Sequence, residues 1–183
     1  IFDENDVPDT TVGREISFVR RVSNDSFVYA KAIKDAFDLG RNTTSYSGGS
    51  SLGTDLATVA RLIRGGLGAR IYHVSIGGFD THAYQLGTHQ NLMSRLSAAI
   101  SAFVTDLESD GLLEKVSGVT FSEFGRRLNQ NGSSGTDHGT SAPMFVFGSE
   151  LKGGLIGDAP DLTNLDAASN LVSGVDFRSV YGS

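Results

Sequence analysis

The stretch ARIYHVSIGGFDTH, residues 69 to 82, decides the fold that the sequence predicts. In its first half, Tyr72, Val74 and Ile76 recur at every second position, and the side chains between them point to the other face. This period is typical of an extended chain with one face buried. The sequence therefore predicts a strand over residues 70–76.

Asp80 and His82 follow this segment directly after the pair Gly77 and Gly78. Glycine lets the chain leave a strand sharply, because it tolerates backbone conformations that other residues avoid. Two interpretations fit the segment that follows. It is either a polar turn that caps the next helix or one half of a metal site. Residues elsewhere in the chain are needed to distinguish the two.

Composition limits the classes of protein that fit. The chain has 183 residues, of which 39% are hydrophobic and 20% charged, and this suits one domain over residues 1–183 or part of a larger one. A formal net charge of -6 without a basic run argues against a nucleic-acid partner. The absence of cysteine excludes disulfides and thiolate metal sites.

No apolar run approaches the roughly 20 residues that span a bilayer. The chain begins with Ile1, without a visible signal peptide, so we expect a fragment of a longer protein. Residues 1–10 are acidic and aperiodic and predict an extended lead-in.

The predicted elements alternate between helices and strands. We predict helices over residues 11–39, with a break near 23–26, over 54–64 and over 88–109, and further strands over 116–121 and 143–148. An unbroken apolar run such as that at 143–148 suits a strand covered on both faces. This order predicts an α/β fold with a mostly parallel central sheet and helices on both faces.

Polar clusters follow or precede the predicted strands, where open parallel sheets bind ligands. Their candidate side chains are Asp80, His82, Glu123, Asp137 and His138, together with Arg126 and Arg127. Carboxylates and imidazoles are ligands for divalent ions, and arginine can hold an anion. Each cluster also has a simpler interpretation, such as an ion pair between Glu123 and one of the arginines.

Several motifs occur together in one order. They are GGFDTH (77–82), VTFSEFGRR (119–127), GTDHGTSAPMFVFG (135–148), GGLIG (153–157) and DFRSVY (176–181). From about residue 54 to 183 the chain resembles the bacterial domain-of-unknown-function family 1501, which is placed in the alkaline-phosphatase-like (sulfatase-like) superfamily. The resemblance implies a central sheet, a binuclear metal site and export to the periplasm or the outside.

The resemblance also implies roles for particular residues. Asp80 and His82 resemble the Asp and His of the superfamily's first metal, and His138 resembles the later histidine that completes it. Glu123 and Phe124 stand where the superfamily has a metal-binding Asp and His. A phenylalanine cannot ligate a metal, so a second ion would need other ligands such as Asp137.

The function that we predict is metal-dependent hydrolysis of phosphate or sulfate esters. Asp80, His82, Asp137 and His138 hold the ion, which is zinc by preference, with manganese or calcium as alternatives. Glu123 acts as a further ligand or general base, and Arg126 stabilises an anionic ester. The superfamily's nucleophile has no match here, so we expect it upstream in the same polypeptide. The alternative is a catalytically degenerate, secreted binding or structural module.

Overall fold

A computed structural model describes residues 2–46, 51–148, 151–172 and 174–182. The helices are α1 (Thr11–Leu39), α2 (Ser51–Arg64), α3 (Gln85–Glu108), a 3₁₀ helix (Leu112–Lys115) and α4 (Phe177–Tyr181). The strands are β1 (Ser117–Val119), β2 (Gly125–Gln130), β3 (Thr136–Gly139) and β4 (Val146–Gly148). In the part of the chain that the structure describes, none of these helices is both long and apolar enough to cross a membrane.

The hydrophobic core lies between α2 and α3. The apolar positions of α2 recur at helical spacing, so Leu56 and Ala60 share the face that packs on α3. From α3, Phe103 and Leu107 enter the same cluster, and Leu107 and Ala60 are fully buried. Burying one such large apolar side chain contributes about 1.5 to 3 kcal/mol, which makes this helix pair the main source of hydrophobic stabilisation.

Helix α1 runs without the break that the sequence predicts near residues 23–26. The Asn24 side chain is buried and hydrogen bonds to the lead-in instead of capping a second helix: its Oδ1 accepts from Phe2 N at 2.7 Å and its Nδ2 donates to Phe2 O at 2.8 Å. Arg20 also donates to the carbonyl oxygens of Asp3 and Asp6. Asn24, one of the polar residues that predicted a helix break, therefore anchors the lead-in together with Arg20.

The prediction of a mostly parallel central sheet with helices on both faces is wrong. The described residues form two separate sheets of two antiparallel strands, β1 with β4 and β2 with β3. Strands predicted at 116–121 and 143–148 are present as the shorter β1 and β4, but they pair with each other. Alternating helices and strands suggested parallel pairing, but local sequence patterns do not determine which strands pair or in which direction.

The predicted strand over residues 70–76 is extended but unpaired. Tyr72, Val74 and Ile76 pack against the core as the alternation indicates, and Ile71 is 87% exposed. Within the described part of the chain, however, the backbone of this segment makes no hydrogen bond. The alternation of apolar side chains correctly predicted which of them face the core. A strand, however, also needs a neighbouring backbone to pair with.

Strands β2 and β3 form a hairpin in a region for which the sequence predicts neither a helix nor a strand. Arg126 pairs with His138 and Gly125 with Gly139, and the register shifts before Gln130 pairs with Thr136. At the turn, Asn131 Oδ1 accepts hydrogen bonds from the backbone nitrogens of Ser133 and Gly135. This asparagine-centred turn closes the hairpin and brings its tip towards the start of α3.

Asp106 is a fully buried carboxylate that joins α3 to the connection between α1 and α2. It accepts hydrogen bonds from the side chains of Asn42, Thr43 and Tyr46, from the backbone nitrogen of Thr43, and from Arg64 at 3.2 Å. Burial opposes the charged form, but the hydrogen bonds to Asn42, Thr43 and Tyr46 outweigh it and lower the pKa of Asp106 to about 2. The charge is therefore retained in the core because every lone pair has a donor.

The lowered pKa predicts a loss of stability in acid. Asp106 titrates near 3.8 when unperturbed and near 2 in the fold, so its contribution is present above about pH 4 and is lost as the pH falls towards 2. This amounts to about 2 kcal/mol. Urea unfolding of the native chain and of Asp106→Asn should differ by about 3 kcal/mol near pH 7, and the difference should shrink by about 2 kcal/mol near pH 2.

The matched control is Asp25→Asn, which removes the same charge from an exposed position on α1. Its unfolding should follow that of the native chain at both pH values. An Asp106→Asn difference that does not change with pH would show that the carboxylate charge contributes nothing to stability.

Candidate metal centre

Three potential metal ligands from two separate parts of the chain meet at one point. Asp80 and His82 lie in the loop that precedes α3, and His138 lies on β3. Asp80 Oδ1 is 2.7 Å from His138 Nε2 and 3.0 Å from His82 Nε2, and the two Nε2 atoms are 3.2 Å apart. These three atoms form a nearly equilateral triangle.

This triangle has the size that a tetrahedral ion requires. Bonds of about 2.0 to 2.1 Å place tetrahedral ligand atoms about 3.3 to 3.4 Å apart. The measured separations of 2.7 to 3.2 Å are a few tenths of an ångström smaller, so a shift well within the range of side-chain motion would admit an ion. The group Asp80, His82 and His138 can therefore hold a metal.

The centre is open to solvent on one side. The side chains of Asp80, His82 and His138 are 62%, 46% and 47% exposed. Structural zinc sites enclose the ion with four protein ligands, whereas catalytic sites leave a position for water or substrate. Three exposed protein ligands match the second type.

The loop that carries Asp80 and His82 is held by Thr81 between them. Thr81 is buried, and its Oγ1 accepts a hydrogen bond from Gln85 Nε2 at 2.9 Å. Gln85 Oε1 in turn accepts from Thr136 Oγ1 on β3 at 3.1 Å. Burying Thr81 turns its two neighbours outwards, and Gln85 fixes the loop to the strand that carries His138.

The tip of the β2–β3 hairpin caps the N-terminus of α3. The backbone nitrogens of Tyr84 and Gln85 donate to the carbonyl oxygens of Ser133 and Ser134, each at 3.0 Å. A helix N-terminus has backbone donors without partners inside the helix, so these carbonyls satisfy two of them. The same contact brings His82 and His138 together.

Asp137 lies next to the centre but on its far side. Its Oδ1 is 3.4 Å from Nδ1 of His82, whereas the ring nitrogen that faces Asp80 and His138 is Nε2. Hydrogen bonds from Asn131 and His82 lower the pKa of Asp137. The sequence predicted Asp137 as a ligand. The structure places its carboxylate beside Nδ1 of His82, outside the triangle of ligand atoms.

Arg126, predicted to stabilise an anionic substrate, is largely engaged by the protein itself. Its Nη1 donates to Thr136 O and its Nη2 to Phe79 O, each at 2.5 Å. Nη2 also lies 3.7 Å from Asp80 Oδ1. Nη1 therefore joins the two strands of the hairpin, and Nη2 links the hairpin to the Asp80 loop. The guanidinium also places a positive charge beside the Asp80 carboxylate.

Glu123, the other predicted catalytic residue, is exposed. Among the described residues it forms neither a hydrogen bond nor an ion pair, so the alternative pairing with Arg126 or Arg127 is not formed. The structure does not bring Glu123 into the triangle of ligand atoms.

Phe124 forms one wall of the centre. Its ring is parallel to that of His138, with centroids 4.1 Å apart and an interplanar angle of 8°. Arg126 lies over the same phenyl ring at 4.9 Å. Phe124 therefore orients the His138 ring by stacking.

The sequence does not single out the residues that support the centre, chiefly Thr81, Gln85 and Asn131. The only local signal was Asn131 followed by Gly132, a pair that is typical of turns. The hydrogen bond that Thr136 Oγ1 donates to Gln85 Oε1 joins positions 51 residues apart, which no local pattern indicates.

Comparison with known proteins identifies the family. The protein-family model described as "Protein of unknown function (DUF1501)" matches residues 9–179, which is most of the chain. The chain belongs to the DUF1501 family. No curated protein and no solved structure matches it. The DUF1501 assignment confirms the family resemblance and leaves function to be argued from the centre itself.

Gly135 gives a direct test of the hairpin contact. A Cβ at this position would lie 2.3 Å from both the carbonyl carbon and the carbonyl oxygen of His82. Gly135→Ala should therefore push the hairpin tip away from the loop, separate His82 from His138 and weaken zinc binding by at least about tenfold. Isothermal titration calorimetry with zinc would measure this loss.

Gly132→Ala is the matched control. It lies in the same turn, and an added Cβ would meet nothing within 4 Å. Zinc affinity should stay at the native value in this variant. Equal affinities in both variants would contradict the dependence of the centre on this close approach.

Proposed function

We propose that the chain binds one divalent metal ion through Asp80, His82 and His138. The observation that carries this proposal is the triangle of ligand atoms, with sides of 2.7, 3.0 and 3.2 Å. Without an ion, two ring nitrogens and a carboxylate oxygen converge at a point where hydrogen bonds cannot satisfy all three pairs at once.

Zinc is the ion that this ligand set favours. Two imidazole nitrogens and one carboxylate oxygen are ligands that zinc accepts in a tetrahedral site. Calcium prefers six to eight oxygen ligands, and this centre offers nitrogen from two of its three residues. Manganese is the alternative, since it accepts both imidazole and carboxylate.

We further propose that the centre acts on phosphate or sulfate esters. A bound divalent ion supplies Lewis acidity, which polarises an ester oxygen. The exposed side of the triangle gives an anionic group access, and Arg126 adds positive charge next to Asp80. In this proposal Glu123 is the general base, because it is exposed and adjoins Phe124, whose ring stacks on His138.

The resemblance to the alkaline-phosphatase-like superfamily supports this chemistry through the order of the three ligands along the chain. It does so without the parallel sheet that the superfamily implies, which the described residues do not form. We place the attacking nucleophile in an upstream part of the same polypeptide, where the superfamily carries it.

The exposed apolar side chains of α1 support a contact with this upstream part of the polypeptide. Phe18, Val19, Phe27, Val28 and Tyr29 are each more than half exposed along this one helix. At 3.6 residues per turn these side chains lie on several sides of the helix, and a helix that is apolar all round is normally buried by other polypeptide. The unpaired backbone of residues 70–76 supports the same proposal, because an extended segment can accept a neighbouring strand.

A second candidate function is an exported binding or structural module that keeps the metal centre without catalysis. Phe124 favours it, since a phenyl ring occupies the place of a ligand beside His138. The engagement of both Arg126 terminal nitrogens by carbonyl oxygens also favours it. Export rests on the family resemblance in both proposals.

Elemental analysis by mass spectrometry tests the metal proposal first. The native chain, purified without chelators, should carry about one zinc or manganese ion per chain. His82→Ala and His138→Ala should each lose it, because each removes one of the three ligands. His73→Ala is the matched control, since His73 contacts Phe121 and lies outside the triangle.

A native chain without a metal would contradict the proposal, as would ions that persist in both ligand variants. Once the metal is established, release of phosphate or sulfate from aromatic esters separates the two functions. Because the proposal places the nucleophile upstream, this assay uses the full-length polypeptide. Hydrolysis that is lost in its Glu123→Gln variant, with the ion retained, supports the enzyme, whereas a metal-loaded full-length polypeptide without hydrolysis supports the binding module.

A further inference from the structure

The two ring nitrogens of His82 face different partners. Nε2 lies 3.0 Å from Asp80 Oδ1 and 3.2 Å from His138 Nε2, within the triangle. Nδ1, on the other side of the ring, lies 3.4 Å from Asp137 Oδ1. A neutral imidazole carries only one hydrogen, so Asp137 at Nδ1 and Asp80 at Nε2 compete for it, and Nε2 is free to bind an ion only when the hydrogen is on Nδ1.

Asp137 is itself held in place by Asn131. The Asn131 Nδ2 group donates to Asp137 Oδ1 at 3.0 Å and to the backbone carbonyl oxygen of His82 at 3.0 Å. Asn131 Oδ1 is used within the turn, where it accepts from Ser133 N and Gly135 N. One asparagine therefore fixes the carboxylate and the backbone of the histidine that the carboxylate faces.

His138 is oriented by other means. Its ring stacks on Phe124 at 4.1 Å, and its Nε2 faces Asp80 at 2.7 Å. Among the described residues, Asp137 is the carboxylate that contacts a histidine of the triangle through the nitrogen directed away from it. Carboxylates in this position orient metal-binding histidines and increase their basicity.

We propose that Asp137 is a positioning residue for His82. Its carboxylate accepts a hydrogen bond from Nδ1–H of the neutral ring, which leaves the lone pair of Nε2 directed at the ion. Asn131 keeps the carboxylate at that nitrogen. This inference rests on the proposed metal centre, but the hydrogen position on His82 is a property of the metal-free chain and can be measured separately.

Long-range ¹H–¹⁵N NMR of the metal-free chain tests the inference directly. In mildly alkaline buffer, where imidazole is neutral, each ring shows which nitrogen carries hydrogen. The His82 signals are those that vanish in His82→Ala. The native chain should show His82 protonated at Nδ1, and Asp137→Ala should move hydrogen towards Nε2. Asp137→Asn keeps an acceptor oxygen and should retain much of the Nδ1–H form.

Zinc affinity provides the second measurement. Asp137→Ala should bind zinc about 10- to 100-fold more weakly than the native chain, and Asp137→Asn should lie between them. Asp161→Ala is the matched control, because the Asp161 carboxylate is exposed and contacts Thr163 and not the centre. It should change neither zinc affinity nor the His82 signals.

The outcomes separate this inference from the metal proposal. A His82 ring that is protonated at Nε2 in the native chain, or that is unchanged in Asp137→Ala, overturns the positioning role whether or not zinc binds. If Asp137→Asn loses zinc as completely as His82→Ala does, while His82 keeps its hydrogen on Nδ1, then Asp137 is a direct ligand. That result also overturns the positioning role. A native chain with the expected hydrogen position but without zinc affinity overturns the metal proposal alone.

Discussion

The buried carboxylate of Asp106 is the constraint on which the arrangement of the helices depends. A charge without solvent is costly unless each of its oxygen atoms is hydrogen bonded, so Asn42, Thr43, Tyr46 and Arg64 must all reach the same point. These partners come from the α1–α2 connection and from the end of α2. Apolar packing alone would allow α2 and α3 to slide relative to each other. The Asp106 carboxylate prevents this, because it needs all of these donors at once.

Helix α3 transmits this constraint to the metal centre. Asp106 lies near the C-terminal end of the helix, and Gln85 is its first residue. At 1.5 Å per residue the two are about 30 Å apart along the axis. The N-terminal end of the helix meets the hairpin tip, and the loop with Asp80 and His82 is held between them. The scaffold is thus a rigid helix whose two ends are each anchored by polar contacts.

The sequence predicted which three residues come together at the candidate metal centre better than it predicted the fold. Asp80, His82 and His138 could be selected because acids and histidines stood beside glycines, and their order matched a known pattern. The sheet could not be predicted, because pairing between β1 and β4 joins residues about thirty positions apart and leaves no local mark. The roles of Asp106, Asn131 and Asp137 also depend on partners distant in sequence, and a buried or oriented carboxylate looks the same in sequence as an exposed one.

The extended segment over residues 70–76 has a consequence for how the chain behaves while it is being made. Its core-facing side chains, Tyr72, Val74 and Ile76, are covered, but both edges of its backbone are without partners among the described residues. Natural sheet edges are protected by lysine, proline or a bulge, and the sequence RIYHVSI contains neither lysine nor proline. An unprotected edge of this kind can pair with any extended backbone that it meets, so it is a site where newly made chains can aggregate unless another segment covers it first.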